Sequence, residues 1–179
     1  DSASGTFSHR VFLGIRAIDA PNVLVMDGYG VDYAAKPDYQ HELGKLFQAN
    51  LIVVEHRFFS KSQLPNADYR WLTTTQAAAD VHHVRELIAT ILTGKWISTG
   101  TSKGGQAALA HRMHYPEDVA ATVVFGTAVK KTPTIATADL LQPLMEKGCG
   151  AQVAAFQKYG FEHKDSIFPA FIASAMAQT

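Results

Sequence analysis

A single cysteine, Cys149, stands among 179 residues, so a disulfide within the chain is impossible and a metal site built from clustered thiolates is excluded. Only Lys147 beside it would lower its pKa, so it reads as a small apolar side chain rather than a reactive thiol. Net charge is missing too. Sixteen basic residues offset sixteen acidic ones, which removes any electrostatic reason to expect nucleic acid or an anionic membrane as a partner. No apolar stretch approaches the roughly 18 residues that a bilayer span requires, and no basic segment followed by an apolar one opens the sequence. The expectation is a soluble chain, or a mature form already trimmed. Repeats, low-complexity tracts and long runs of like charge are absent. His82 and His83 are neighbours on one helical pattern and point in different directions, so they cannot form the i, i+4 pair of a helical zinc site. No other ligand cluster exists in the sequence, and neither a metal nor an organic cofactor is expected.

What is present is ordinary globular composition, 47% apolar and 18% charged, in a length that suits one domain. Four short apolar runs, Val23 to Met26, Leu51 to Val54, Trp96 to Ser98 and Ala121 to Phe125, read as buried strands, being too short for helices. The segments between them are long enough for helical crossovers. The clearest runs from Thr75 to Leu92, where Ala78, Val81, Val84, Leu87, Ile88 and Ile91 recur at helical spacing. This alternation predicts an α/β fold, a mostly parallel sheet with helices on both faces. Phe7 to Ile15 alternates apolar and polar residues as an edge strand or hairpin arm would. Past Lys131 the composition changes at Thr132-Pro133-Thr134. Residues 1–131 are expected to form the core, and 132–179 a helical cap or excursion with helices over Leu140 to Met145 and Val153 to Tyr159.

In an open parallel sheet, ligands bind beyond the carboxyl ends of the strands. The loops there would be Asp27-Gly28-Tyr29-Gly30, Glu55-His56-Arg57-Phe58-Phe59 and Gly100-Thr101-Ser102-Lys103-Gly104. The third is Gly-x-Ser-x-Gly, set between an apolar run and a helical pattern starting near Gln106, which is the arrangement of a nucleophile elbow. Gly100 and Gly104 would let strand and helix approach closely enough to lift Ser102 above the sheet. Acyl transfer also needs two backbone N–H groups aimed at the developing oxyanion, and Lys103 and Tyr29 fit those places, with Gly28 and Gly30 opening the backbone to substrate. Read without function, both glycine motifs are structural turns. A serine nucleophile further needs a histidine base and an acid that orients it. His111 and His114 fall on the helix behind the elbow and read as surface or packing residues. Asp139 followed by His163 preserves the expected chain order but lacks the strands that would hold the pair. Glu55 and Arg57, flanking His56, either pair with one another or contact a substrate terminus; the structural reading is preferred.

Read together, these loops make Val23 to Lys131 resemble the secreted bacterial prolyl tri/tetrapeptidyl aminopeptidases, serine peptidases of the α/β-hydrolase fold. The resemblance rests on Gly28-Tyr29-Gly30, on Val53-Val54-Glu55-His56-Arg57-Phe58-Phe59, on Thr75-Gln76-Ala77-Ala78-Ala79-Asp80, on Lys95 through Gly105 and on Tyr115-Pro116-Glu117-Asp118-Val119. It implies a peptidase that removes short peptides from a free N-terminus, with proline favoured before the cleaved bond, in an extracellular or periplasmic setting. Ser102 would be the nucleophile, Tyr29 and Lys103 the oxyanion donors, and the segment after Lys131 the start of a cap limiting access to chain ends. Members of that family are considerably longer, and their catalytic Asp and His follow the cap. The resemblance therefore implies that this chain is the N-terminal portion of such an enzyme, with the last strands of the sheet missing, or a degenerate relative. Two alternatives keep the fold: an esterase using the same nucleophile, and a catalytically silent binding module.

Overall fold

The computed structural model describes residues 6–64, 68–128, 146, 148 and 150–176. They fall into two units, one before and one after Val129, described separately below. The N-terminal unit is built on a five-stranded sheet in the order β1-β3-β2-β4-β5, from β1 (Val11–Gly14), β2 (Asn22–Met26), β3 (Asn50–Val54), β4 (Trp96–Thr101) and β5 (Ala121–Phe125). All neighbours are parallel except β1, which runs antiparallel along β3 with Val11 opposite Val54.

Side chains alternate across a strand, and here both faces are covered. Leu24 and Met26 of β2, with Ile52 and Val54 of β3, pack against Val81, Val84 and Ala108, which lie on α2 (Thr74–Ala89) and α3 (Lys103–His114). Val23, Val25 and Val53 face the other way, onto Val31 and Leu43, the latter on the short α1 (Glu42–Leu46). Each such fully buried aliphatic side chain contributes about 1.5–3 kcal/mol. At the opposite end of the sheet, buried Asn50 donates from Nδ2 to Asn22 Oδ1 at 2.9 Å, and its Oδ1 accepts the N–H groups of Arg16 and Ala17. This pins the start of β2 to that of β3, and so sets where both strands end.

Several boundaries differ from the sequence reading. Strand β4 continues to Thr101 rather than ending at Ser98, because its last residues are small and polar yet still pair with Val124 and Phe125. Helix α3 begins at Lys103, not near Gln106; Gly104 and Gly105 are poor helix formers and mask its first turn. Helix α2 starts after Thr73, whose Oγ1 accepts the Gln76 N–H at 3.2 Å, a standard N-cap. Strand β5 is half-exposed rather than buried, since among the described residues it pairs only with β4.

The second unit contains α4 (Gly150–Glu162) and α5 (Lys164–Met176), the latter carrying Pro169. The helix expected over Val153 to Tyr159 lies within α4. That expected over Leu140 to Met145, together with Asp139 and Cys149, lies outside the described residues.

Candidate active site

Strands β2, β3 and β4 are parallel, so the loops leaving their carboxyl ends open on one edge of the sheet. Ser102 sits there between β4 and α3 with φ 54° and ψ −119°. A residue bearing a Cβ in such a region stores about 1–3 kcal/mol of backbone strain. The surroundings hold it there. The Ser102 N–H donates to Phe125 O at 2.9 Å, and Ser102 O accepts the Gln106 N–H at 3.2 Å. Its hydroxyl is exposed and makes no hydrogen bond among the described residues.

The glycines are required by close approach. A Cβ on Gly100 would collide with the Gly104 carbonyl, and one on Gly104 with the Met26 carbonyl. At Gly28 it would lie 2.6 Å from Lys103 Cβ, and at Gly30 3.1 Å from Ser60 Cβ. The β2 loop therefore lies directly against the first turn of α3, and brings Tyr29 and Lys103 together. As the first helical residue, Lys103 has an N–H with no intrahelical acceptor, and it donates to no group among the described residues. The Tyr29 N–H is engaged: it donates to Asp27 Oδ1 at 2.9 Å. Asp27 in turn accepts the Tyr33 hydroxyl on Oδ2 at 2.7 Å. Burial, and then that bond, pushes the Tyr33 pKa up.

The Lys103 side chain adds a feature that no motif signalled. Its Nζ lies 4.3 Å from the Phe59 ring centroid and 5.0 Å from that of Tyr29, and the two rings meet edge to face at 5.3 Å. Burial pushes the ammonium pKa down, against the opposing pull of Asp27. His56 stands edge-on to Phe59 at 5.6 Å, and burial lowers its pKa.

Glu55 and Arg57 do not pair with one another, which corrects one of the two sequence expectations. Both lie just past the end of β3, and each is taken by partners on other segments. Glu55, 1% exposed, takes Arg10, the Ser62 hydroxyl at 2.8 Å and the N–H groups of Val31 and Lys61. Burial acts to raise its pKa, but the bonds from Arg10, Ser62 and Val31 outweigh it and hold the carboxyl below its ordinary range. Arg57 grips both oxygens of Asp80 at 2.6 and 2.7 Å and donates to Trp71 O at 2.7 Å. Both residues brace the loop beneath the site.

Two of the histidines after Ser102 have other partners, and the third, His114, is exposed on α3 with its ring 6.4 Å from that of Tyr115. Fully buried His111 donates from Nε2 to Asp118 Oδ2 at 2.8 Å, and the same oxygen lies 2.7 Å from His82 Nδ1. His82 stacks on Tyr115 with centroids 3.9 Å apart. This cluster ties α2 to α3 and to the turn before β5, and sequence reasoning missed it because His82 lies 36 residues before the Asp118 that joins it to His111. His163 Nδ1 lies 2.9 Å from Tyr159 O, within its own helix. Among the described residues no group of His, Cys, Asp and Glu is arranged to hold a metal, and no helix is long and apolar enough to cross a membrane.

A mostly parallel sheet with helices on both faces, and a strained serine at the turn from β4 into a helix, define an α/β-hydrolase. Solved structures agree on the fold. Epoxide hydrolase A from Mycobacterium thermoresistibile superposes with a TM-score of 0.52 at 20% identity, over 76% of this chain and 44% of that one. A hydrolase from Pseudomonas aeruginosa PA01 gives 0.53 at 16%, over 95% and 66%. The chain belongs to the PS-10 peptidase S37 family, whose model matches residues 1–139. It is 30% identical over 165 residues to the prolyl tri/tetrapeptidyl aminopeptidase of Streptomyces mobaraensis, over 91% of this chain and 34% of that enzyme. The chain thus spans about a third of that relative's length.

Proposed function

We propose that Ser102 is the acyl-forming nucleophile of a serine peptidase that releases short peptides from a free N-terminus, of the prolyl tripeptidyl aminopeptidase type. The observation that carries this reading is the exposed Ser102 hydroxyl on a strained turn at φ 54°, next to the unengaged N–H of Lys103. Family membership supports the peptidase chemistry. The proline preference and an extracellular or periplasmic setting rest on the aminopeptidase relative alone.

In this reading Ser102 Oγ attacks the scissile carbonyl carbon and its proton passes to a histidine base. The carbonyl oxygen gains the negative charge, and the Lys103 N–H donates to it. The positive end of the α3 dipole lies under the same atom. Tyr29 supplies the second N–H once its bond to Asp27 lengthens or is shared. Collapse of the tetrahedral species expels the amine, which takes the proton from the histidine, and water, deprotonated by the same histidine, then hydrolyses the acyl-enzyme and returns the proton to Ser102. The base and its orienting acid are assigned to sequence corresponding to the part of the aminopeptidase that this chain does not match. The aromatic pair Tyr29 and Phe59 gathers around the side chain of Lys103, the residue after the nucleophile.

The test is hydrolysis of Xaa-Xaa-Pro anilides by the full-length protein, with the N-terminus free and blocked. Ser102→Ala is expected to lower kcat about 10⁶-fold, as in dismantled triads, and blocking the N-terminus is expected to abolish turnover. Turnover of nitrophenyl esters alone would favour the esterase reading. An inert full-length protein would favour the silent module.

A further inference from the structure

We propose that Thr127 is a positioning residue of this site: its hydroxyl fixes the peptide plane between Ser102 and Lys103, and so aims the Lys103 N–H. This role deepens the nucleophile reading of Ser102 and rests on it. Thr127 Oγ1 lies 3.2 Å from Ser102 O and 3.3 Å from Phe125 O, so one hydroxyl proton is shared by two carbonyls. Phe125 O is the acceptor that holds the Ser102 N–H. Thr127 therefore touches the backbone of the nucleophile from both sides.

The consequence follows from peptide planarity. Ser102 O and the Lys103 N–H belong to one rigid plane and point in opposite directions, so a donor that holds the oxygen sets the direction of the N–H. Without it, Ser102 O keeps only the 3.2 Å bond from Gln106. Rotation of this plane changes ψ of Ser102, now −119°, together with φ of Lys103, and so swings the Lys103 N–H away from its present direction.

Two further contacts make the arrangement a fitted one. Gly105 leaves the space that Thr127 Oγ1 occupies, since a Cβ there would collide with that oxygen. Gln106 Nε2 donates to Ala128 O at 3.0 Å. Gly126, at φ 54°, turns the chain leaving β5 back toward the elbow. Residues 126–128 are thus fastened to the elbow by side chains from both partners.

The experiment compares wild type, Thr127→Val and Thr127→Ser in the full-length protein. Valine keeps the shape and removes the donor; serine keeps the donor. Thr127→Val is expected to lower kcat about 10- to 100-fold, short of the loss of a whole oxyanion donor, with KM unchanged. Affinity for a peptide boronate is expected to fall in parallel, and serine should restore most of both. Amide hydrogen exchange at Gln106, whose N–H donates to Ser102 O, should accelerate in the valine variant at an unchanged melting temperature. Valine with wild-type kcat, or with wild-type exchange at that amide, overturns the role. Equal fluorophosphonate labelling rates for wild type and Thr127→Val overturn the Thr127 role while leaving the Ser102 reading standing. A wild-type protein that the probe does not label at Ser102 overturns both.

Discussion

At the scale of single residues, Ser102 sets stability against function. Its positive φ costs free energy that glycine would not incur, whereas alanine still carries a Cβ and keeps the strain. Ser102→Gly is therefore expected to be more stable than Ser102→Ala by about 1 kcal/mol, although both remove the hydroxyl proposed as the nucleophile. Urea denaturation of the two variants side by side checks this; equal midpoints would mean that the turn is not strained. The part of the site legible in the sequence was the part encoded locally. Gly100, Ser102 and Gly104 lie within five residues, so their spacing shows in the sequence, although the atom that excludes a side chain at Gly104 is the distant Met26 carbonyl. The grip of Thr127 on Ser102 O, and the placement of Lys103 Nζ over Phe59 and Tyr29, arise where separate strand ends converge, and no spacing in the chain announces them.

At the scale of elements, the loop after β3 is held from both sides by charge pairs that leave the reacting edge free. Arg57 reaches across to Asp80 in the second turn of α2, and Glu55 to Arg10 just before β1. Arg57 is 5% exposed, and removing one member of a buried pair leaves the other uncompensated at a cost of about 3–5 kcal/mol. Asp80→Ala is expected to destabilise by about 3 kcal/mol, the low end because Asp80 retains some solvent access; chemical denaturation checks it, and a loss under 1 kcal/mol would contradict it. At the elbow, Gly100→Ala drives a methyl into the Gly104 carbonyl, so it should disrupt the β4-to-α3 turn. Loss of fluorophosphonate labelling together with a lowered melting temperature is the expected result. The strands of the sheet were readable because parallel strands buried on both faces are continuous apolar runs. The start of α3 was not, because the glycines that let it approach β2 are the residues least suggestive of a helix. The ends of β4 were hidden likewise: Thr99, Gly100 and Thr101 pair in the ladder without looking like strand.

At the scale of the whole molecule, pH dependence gathers contributions from buried His111 and from the partly buried His41 and His56. Burial lowers the pKa of His41, His56 and His111 from the ordinary value of 6.5. Each binds its proton more readily in the unfolded chain than in the fold, so the unfolded state gains protons first as pH falls. Stability should be full above pH 6.5 and decline below it. Glu55, whose folded pKa is depressed, gives up its contribution only at still lower pH, as its carboxyl protonates. A melting temperature followed from pH 8 to 5 should therefore begin to fall near pH 6.5, and His111→Gln should flatten part of that slope. A flat profile down to pH 5 would contradict the burial of these rings. The same scale sets the limit of what the sequence could foretell about catalysis. Of the described histidines after Ser102, His111 is committed to Asp118 and His163 to Tyr159, while His114 is exposed on α3. The base proposed for Ser102 is not read from any local pattern among the described residues.

The most direct measurement is reaction of the full-length protein with a fluorophosphonate probe, followed by peptide mapping to locate the modified residue. A single adduct on Ser102, absent in Ser102→Ala, is the expected result. Modification of a different residue, or a protein left unlabelled while correctly folded, would contradict the assignment of Ser102 as the nucleophile.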